Sequence, residues 1–128
     1  MMDDMGSFRI DVEVENPAWA GERQIIPAVL VDTGAELSCF PSDVLDTLRV
    51  ERRQRRKFRQ ADGSILERWT GPAFVYAEGA STTDEVIFGE PGDLILLGSR
   101  SLEGLNLRID PVAKRLSDAG PMPLAAVA

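Results

Sequence analysis

The stretch Leu30-Val31-Asp32-Thr33-Gly34-Ala35 brings a carboxylate to the end of an apolar, β-branched segment. The run 25–31 that leads into it predicts a strand buried on both faces. A strand that ends in Asp-Thr-Gly places the Asp32 carboxylate at the mouth of a sheet, where Gly34 permits a sharp turn and the close approach of another segment. Alone the tripeptide is a weak signal, because any strand can end in a turn-forming aspartate.

Length and composition predict one domain over residues 1–128, with a core of about 8–116 and flexible ends at 1–6 and 119–128. Cys39 is the only cysteine, so we expect no disulfide within the chain, a buried thiol and a reducing, cytoplasmic setting. The first residues are acidic and lack an apolar signal segment, and no apolar run reaches the roughly 20 residues of a membrane span. We therefore expect a soluble protein with no membrane partner.

The sequence contains no histidine. This excludes a Ser-His-Asp triad, a Cys-His pair and a histidine-based zinc site. With only one tyrosine and few lysines, carboxylates are the default catalytic groups, and we expect no metal and no cofactor.

The net charge of −7 argues against general nucleic-acid binding. Seven of the 14 basic residues nevertheless lie between Arg49 and Arg59. This basic stretch is interpreted either as a solvated surface strand or as a stripe that steers an acidic partner.

Along the chain, short strand patterns alternate with turn signals, and there is little helix. Strands are predicted at 8–14, 25–31, 37–40, 55–60, 65–70, 73–77, 84–88, 94–97 and 105–109. Short helices are predicted at 41–48, capped by Ser42, and at 99–103, stopped by Gly104. Asp62-Gly63 predicts a hairpin with a type I′ turn, which needs positive φ at both central residues. A second hairpin is expected around Gly79.

The order of these features resembles the retroviral-type (retropepsin-like) aspartic proteases. In that family an apolar strand enters Asp-Thr-Gly-Ala, a flap hairpin follows, and an Ile/Leu-Leu-Gly strand precedes a short helix. Here the motif 30–35 and Leu96-Leu97-Gly98 carry the resemblance, which spans about 8–116. It implies an all-β fold, a closed acid-protease barrel with one or two short helices and one lobe per chain, as in a bacterial-like single-domain member.

The resemblance also implies residue roles. The catalytic group would be Asp32, with Thr33 bonding across a two-fold axis and Gly34 holding the loop. Substrate-binding roles fall to the residues after the motif and to the flap tip, namely Ala35, Glu36, Asp62 and Gly63. Leu97-Gly98 would pack beneath the loop, and Arg100 could brace it. Two departures from the family are a flap with fewer glycines and a serine, Ser99, where an arginine usually follows the Leu-Gly glycine.

Aspartic protease chemistry needs two aspartates around one water, and this chain offers one such motif. Ser117-Asp118-Ala119-Gly120 lacks the hydroxyl residue and the apolar lead-in. We therefore expect a homodimeric aspartic endopeptidase that acts on peptide or protein substrates. Because Ala35 cannot donate a side-chain hydrogen bond to the aspartate, we expect activity nearer neutral than strongly acidic pH. Two alternatives stay open: a catalytically silent dimer that binds peptides or organises an assembly, and a binder of nucleic acid or acidic partners through the basic stretch.

Overall fold

A computed structural model describes residues 8–125 of the chain. Within this range nine strands and two short helices alternate, so the expected all-β class is confirmed. The strands are β1 (Arg9–Glu15), β2 (Arg23–Val31), β3 (Cys39–Pro41), β4 (Gln54–Arg59), β5 (Ile65–Ala77), β6 (Ala80–Gly89), β7 (Leu96–Leu97), β8 (Leu107–Asp110) and β9 (Arg115–Asp118). The helices are α1 (Ser42–Thr47) and α2 (Ser99–Leu105). The expected flexible end at 1–6 lies outside the described residues, as do residues 126–128 of the expected flexible end at 119–128.

Seven strands form one sheet in the order β1-β2-β7-β3-β6-β5-β4. Because β1 also pairs with β5, the pairings of six strands return to their starting point, and β4 lies outside this ring on the edge of β5. β8 and β9 form a separate antiparallel pair. β9 was not predicted, since its four residues contain a single apolar side chain, Leu116, and show no alternation beyond it.

The strand leading to Asp32 departs from the expectation of burial on both faces. Ile25 is 61% exposed, whereas Ile26, Val29 and Val31 are buried. The pairing of β2 with β1 shifts register between Ile10 and Val12, and Ala28 adopts a left-handed conformation opposite that shift. The irregularity resets the side-chain alternation, so that Val29 and Val31 point into the core just before Asp32.

Both predicted hairpins are present, but the type I′ turn lies in the second one. At the β4–β5 hairpin, Gly63 has φ 88° while Asp62 has a negative φ, and the Gly63 N–H donates to the Gln60 carbonyl at 2.9 Å. This is a type I turn followed by a left-handed glycine. At the β5–β6 hairpin, Glu78 and Gly79 both have positive φ, which is the type I′ pattern.

The helix ends also differ from the predictions. Ser42 does not cap α1; the position before the helix is Pro41, and no side chain caps it. α2 runs through Gly104 and ends at Leu105, because Asn106 takes the left-handed conformation that terminates a helix. Each helix buries one face, since Leu45, Leu48, Leu102 and Leu105 are buried in the core.

The core is formed by alternate residues of the strands in the ring, together with the inner faces of the helices. Its fully buried side chains include Val12, Val29, Phe40, Phe88 and Leu97. Val29 and Leu97 belong to the two parallel strands, β2 and β7, that support the Asp-Thr-Gly loop. The loop therefore rests on well-packed strands.

Candidate active site

Asp32 follows β2 directly, at the point where β2 and β7 run parallel. The Asp32 N–H donates to the Leu97 carbonyl at 3.0 Å, which continues the pairing of Val31 with Leu97 by one bond. On the other side of β2, the Val31 N–H donates to the Phe8 carbonyl at 2.9 Å. Asp32 is half-buried, so the strand end fixes its backbone while its side chain keeps access to solvent.

The turn after Asp32 closes on the aspartate itself. The Gly34 N–H donates to Asp32 Oδ1 at 2.9 Å, and the Ala35 N–H donates to the Asp32 carbonyl at 3.3 Å. A Cβ on Gly34 would lie 3.2 Å from Asp32 Oδ1, closer than most side chains tolerate. Thr33 is exposed at the outer end of this turn. The tripeptide thus holds one carboxylate oxygen in place and presents a hydroxyl outward.

Gly98 lies directly beneath the loop. A Cβ at this position would lie 2.7 Å from the Leu37 carbonyl carbon and oxygen and 2.9 Å from the Glu36 oxygen. The next two residues bond the loop, because Ser99 N–H donates to the Ala35 carbonyl at 2.8 Å and Arg100 N–H donates to the Glu36 carbonyl at 3.0 Å. The loop therefore caps the first N–H groups of α2, and Leu97-Gly98 packs under it as expected.

A chain of ion pairs connects this loop to β4. Arg100 Nη2 donates to Glu36 Oε2 at 2.8 Å, and Arg100 Nη1 lies 3.9 Å from Glu85 Oε1. Arg56 makes a two-point contact with Glu85, which also accepts a hydrogen bond from the Thr70 hydroxyl at 2.6 Å. The hydrogen bond from Arg56 is the main reason that the pKa of Glu85 lies below its usual range. The expected brace from Arg100 is present and is one member of a longer network.

The tip of the β4–β5 hairpin carries the other two predicted site residues. Asp62 Oδ1 accepts hydrogen bonds from both the N–H and the hydroxyl of Ser64, at 2.9 and 2.6 Å. These bonds lower the pKa of Asp62, with the hydroxyl contributing most. Asp62 and Gly63 are exposed and lie on a separate element from residues 32–36. The side chain of Asp62 stabilises its own turn.

A second ion pair ties the same hairpin to the segment before β7. Arg68 on β5 donates from Nε and Nη2 to the two carboxylate oxygens of Asp93, at 2.7 and 2.9 Å. The two side chains are 15% and 16% exposed, so water competes little for the contact. The hydrogen bond from Arg68 is the largest cause of the lowered pKa of Asp93. The pair holds the second arm of the hairpin to the chain that leads into Leu96-Leu97.

The basic stretch 49–59 is exposed, and much of its charge is paired within the chain. Ion pairs join Arg52 to Asp46, Arg53 to Glu51, Arg55 to Glu67 and Arg56 to Glu85. The guanidinium of Arg49 lies over the Trp19 ring. These contacts reduce the positive charge that the stretch presents to a partner.

Cys39 is buried in β3, as the sequence predicts. Burial is the main reason that its pKa is raised to about 12, so it is a poor thiolate nucleophile. Over residues 8–125, no three His, Cys, Asp or Glu side chains group in a way that could hold a metal ion. Neither helix in that range is long and apolar enough to cross a membrane.

Several buried polar residues near the site were not predicted from the sequence. Ser38 and Ser101 are fully buried and hydrogen-bonded to each other, and Asp84 has a buried carboxylate oxygen. Ser38 lies within the short apolar run 37–40 and Ser101 within the predicted helical turn 99–103, where a small hydroxyl carries no local signal. Their positions become informative only when β3, β6 and α2 are brought together.

A scan of the chain against protein-family models gave no match, and neither did a search among curated proteins.

Proposed function

We propose that the protein is a retropepsin-like aspartic endopeptidase. Its active site would form between two copies of the chain, each contributing one Asp32. The observation that carries the proposal is the Asp32 turn: a half-buried carboxylate, held by the Gly34 N–H, at the end of a strand bonded to Leu97. A turn braced this closely by a second element, Leu97-Gly98, is more than an ordinary strand ending needs.

The chemistry follows from pairing two such carboxylates. Two aspartates that share one site do not both ionise cheaply, so they hold one proton between them. The ionised carboxylate takes a proton from water, which attacks the peptide carbonyl, while the protonated carboxyl donates to the carbonyl oxygen. Within one chain the Asp-Thr-Gly motif occurs once. A symmetric dimer supplies the second copy, and the exposed Thr33 is available to bond its counterpart across the axis.

The β4–β5 hairpin would serve as the flap over the substrate, with Gly63 at its tip. The ion-pair chain from Arg56 through Glu85 and Arg100 to Glu36 supports this role, because it connects the hairpin to the loop that holds Asp32. Ala35 and Glu36 would contact the substrate backbone beside the aspartate. Residual positive charge on the hairpin would favour acidic substrates, a preference that charge reversal at Arg55 and Arg56 should alter.

The test compares wild type with Asp32→Asn on a peptide library, with and without an active-site-directed aspartic protease inhibitor. We expect cleavage by wild type alone, abolished by the inhibitor, with an optimum nearer neutral than about pH 3 because Ala35 offers no side-chain donor to the carboxylate. Equal cleavage by both proteins would end the proposal. If the activity of wild type were greatest at about pH 3, the expected effect of Ala35 on the pH optimum would be wrong.

A silent dimer that binds peptides is the second candidate, and the same library distinguishes it. It predicts peptide capture without cleavage, unchanged by Asp32→Asn. A nucleic-acid or acidic-partner binder predicts salt-dependent binding that survives Asp32→Ala. The internal pairing of Arg52, Arg53, Arg55 and Arg56 makes this third candidate weaker than the sequence alone suggested.

A further inference from the structure

A buried polar chain runs beneath the candidate catalytic loop. Ser38 and Ser101 are 0% and 1% exposed, and their hydroxyl oxygens lie 2.7 Å apart. The Gly98 N–H donates to Ser38 Oγ at 3.0 Å. Buried hydroxyls are costly unless they are paired, so their placement here calls for a reason beyond packing.

Each serine hydroxyl can donate once, and either of the two can be the donor in the bond between them. In both directions Ser38 Oγ keeps a lone pair for the Gly98 N–H, so the serine pair satisfies that buried donor.

Gly98 couples this chain to Asp32. The residue before it, Leu97, accepts the Asp32 N–H at 3.0 Å, and the two residues after it donate to the Ala35 and Glu36 carbonyls. There is no free volume at Gly98 for it to move toward the loop, since a Cβ there would already lie 2.7 Å from Leu37. A shift of Gly98 therefore displaces the backbone on both sides of the Asp32 turn.

We propose that Ser38 and Ser101 are positioning residues that hold the Asp32 loop in place through Gly98. Ser101 fixes the Ser38 hydroxyl, Ser38 accepts the Gly98 N–H, and the residues on both sides of Gly98 bond the loop. The inference depends on the proposed protease function only for its kinetic readout, because the ordering of the loop can be measured without any activity.

The experiment measures amide hydrogen exchange and peptide kinetics on the full chain for Ser38→Ala and Ser101→Ala. Val75→Ala serves as the matched control, since Val75 is a fully buried core residue on β5 that takes no part in the chain. Exchange at Asp32 and Gly98 is compared with exchange at core amides of β5 in the same sample. This ratio separates local loosening from general destabilisation.

We expect both alanine variants to speed exchange at Asp32 and Gly98, relative to β5, by about tenfold. In an active enzyme the alanine variants should lower kcat by about fivefold or more with little change in KM. The inference is overturned if Ser38→Ala and Ser101→Ala leave the exchange at Asp32 and Gly98, relative to β5, unchanged. It is also overturned if Val75→Ala raises this relative exchange by the same amount. If wild type cleaves no peptide, the proposed protease function fails. The exchange data alone then decide whether the buried serines position the Asp32 loop.

Discussion

Gly98 illustrates how one missing side chain shapes the candidate site. The loop backbone at Glu36 and Leu37 occupies the space that a Cβ at residue 98 would need. The segment from Leu97 to Arg100 makes three backbone hydrogen bonds to residues 32–36. The Asp-Thr-Gly turn is therefore positioned mainly by backbone contacts, which only a glycine at this position allows.

Gly98→Ala should destabilise the fold by about 1–3 kcal/mol, as overpacking does in other tightly packed interiors. It should also reduce peptide cleavage much more than the loss of stability explains, because the added methyl group pushes directly on the loop. Urea unfolding and cleavage rates of folded protein measure the two effects. Ser99→Ala, at the adjacent position, is the control and should change neither; wild-type cleavage by Gly98→Ala would contradict this account of the loop.

Glu15 is a buried carboxylate away from the site, and it makes stability depend on pH. It accepts hydrogen bonds from the Gly21 N–H and the Tyr76 hydroxyl, and the Gly21 bond is the largest cause of its lowered pKa. A carboxylate whose pKa is lowered by folding stabilises the protein above its ordinary pKa, about 4.3 for glutamate. That stabilisation is lost as the pH falls through the lowered value.

Glu15→Gln should therefore lower the free energy of unfolding at pH 7, and the difference from wild type should shrink as the pH falls below about 4. Urea denaturation across this range, in an Asp32→Asn background to prevent self-cleavage, measures it. Glu22→Gln, at an exposed glutamate nearby, should show no such difference. If Glu15→Gln lowered the free energy of unfolding equally at low and neutral pH, the hydrogen bonds to the ionised carboxylate would not be the cause of the lost stability.

At the residue scale, the sequence predicted what lies in contiguous motifs. Residues 32–36 share one loop, and Leu97-Gly98 lies beneath it, as expected from their patterns. The pair Ser38 and Ser101 is separated by 63 positions, and neither serine lies in a motif that points to the other. Glu15 follows the predicted strand 8–14 and lies in no motif, so its partners at Gly21 and Tyr76 become visible only in the fold.

At the element scale, an ion pair attaches each strand of the β4–β5 hairpin to a neighbouring segment. Arg56 on β4 pairs with Glu85, and Arg68 on β5 pairs with Asp93 through two hydrogen bonds. A hairpin that projects from the edge of a sheet has few core contacts, so these pairs contribute much of its order. Flap opening would require at least one of them to loosen.

Asp93→Asn should weaken the second attachment by about 1–3 kcal/mol, because it leaves the mostly buried Arg68 without its nearest charged partner. We expect faster amide exchange along β4 and the first half of β5 with little change in β1 and β2. A double-mutant cycle with Arg68→Met isolates the pair from other effects of each change. Glu90→Gln, which removes only the more distant 3.7 Å contact of Arg68, is the milder control; equal exchange in Asp93→Asn and wild type would refute the attachment.

The hairpins and helices were predictable from their glycines and apolar spacing, but their turn types, buried faces and end positions were not. Both hairpins were found from their glycines, yet the type I′ turn belongs to Glu78-Gly79 and not to Asp62-Gly63, because tolerance of positive φ does not ensure its use. The run 25–31 suggested burial on both faces, but the irregularity at Ala28 turns Ile25 outward. Gly104 suggested a helix stop, whereas Asn106 provides it.

At the scale of the whole molecule, the all-β class followed from the alternation of short strands and turns. The closure of six strands through the β1–β5 pairing did not, since it joins strands distant in the chain and leaves no periodic trace. The same holds for the proposed dimer. It rests on counting: one Asp-Thr-Gly per chain, and a mechanism that needs two.

The most direct test of this central claim mixes wild-type and Asp32→Asn chains, unfolded and refolded together, and measures peptide cleavage against the wild-type fraction. If each active site needs one Asp32 from each of two subunits, only wild-type pairs are active, and an equal mixture retains about one quarter of the activity of the same total amount of wild type. An equal mixture that retains about one half would mean that each chain works alone, and would contradict the shared active site.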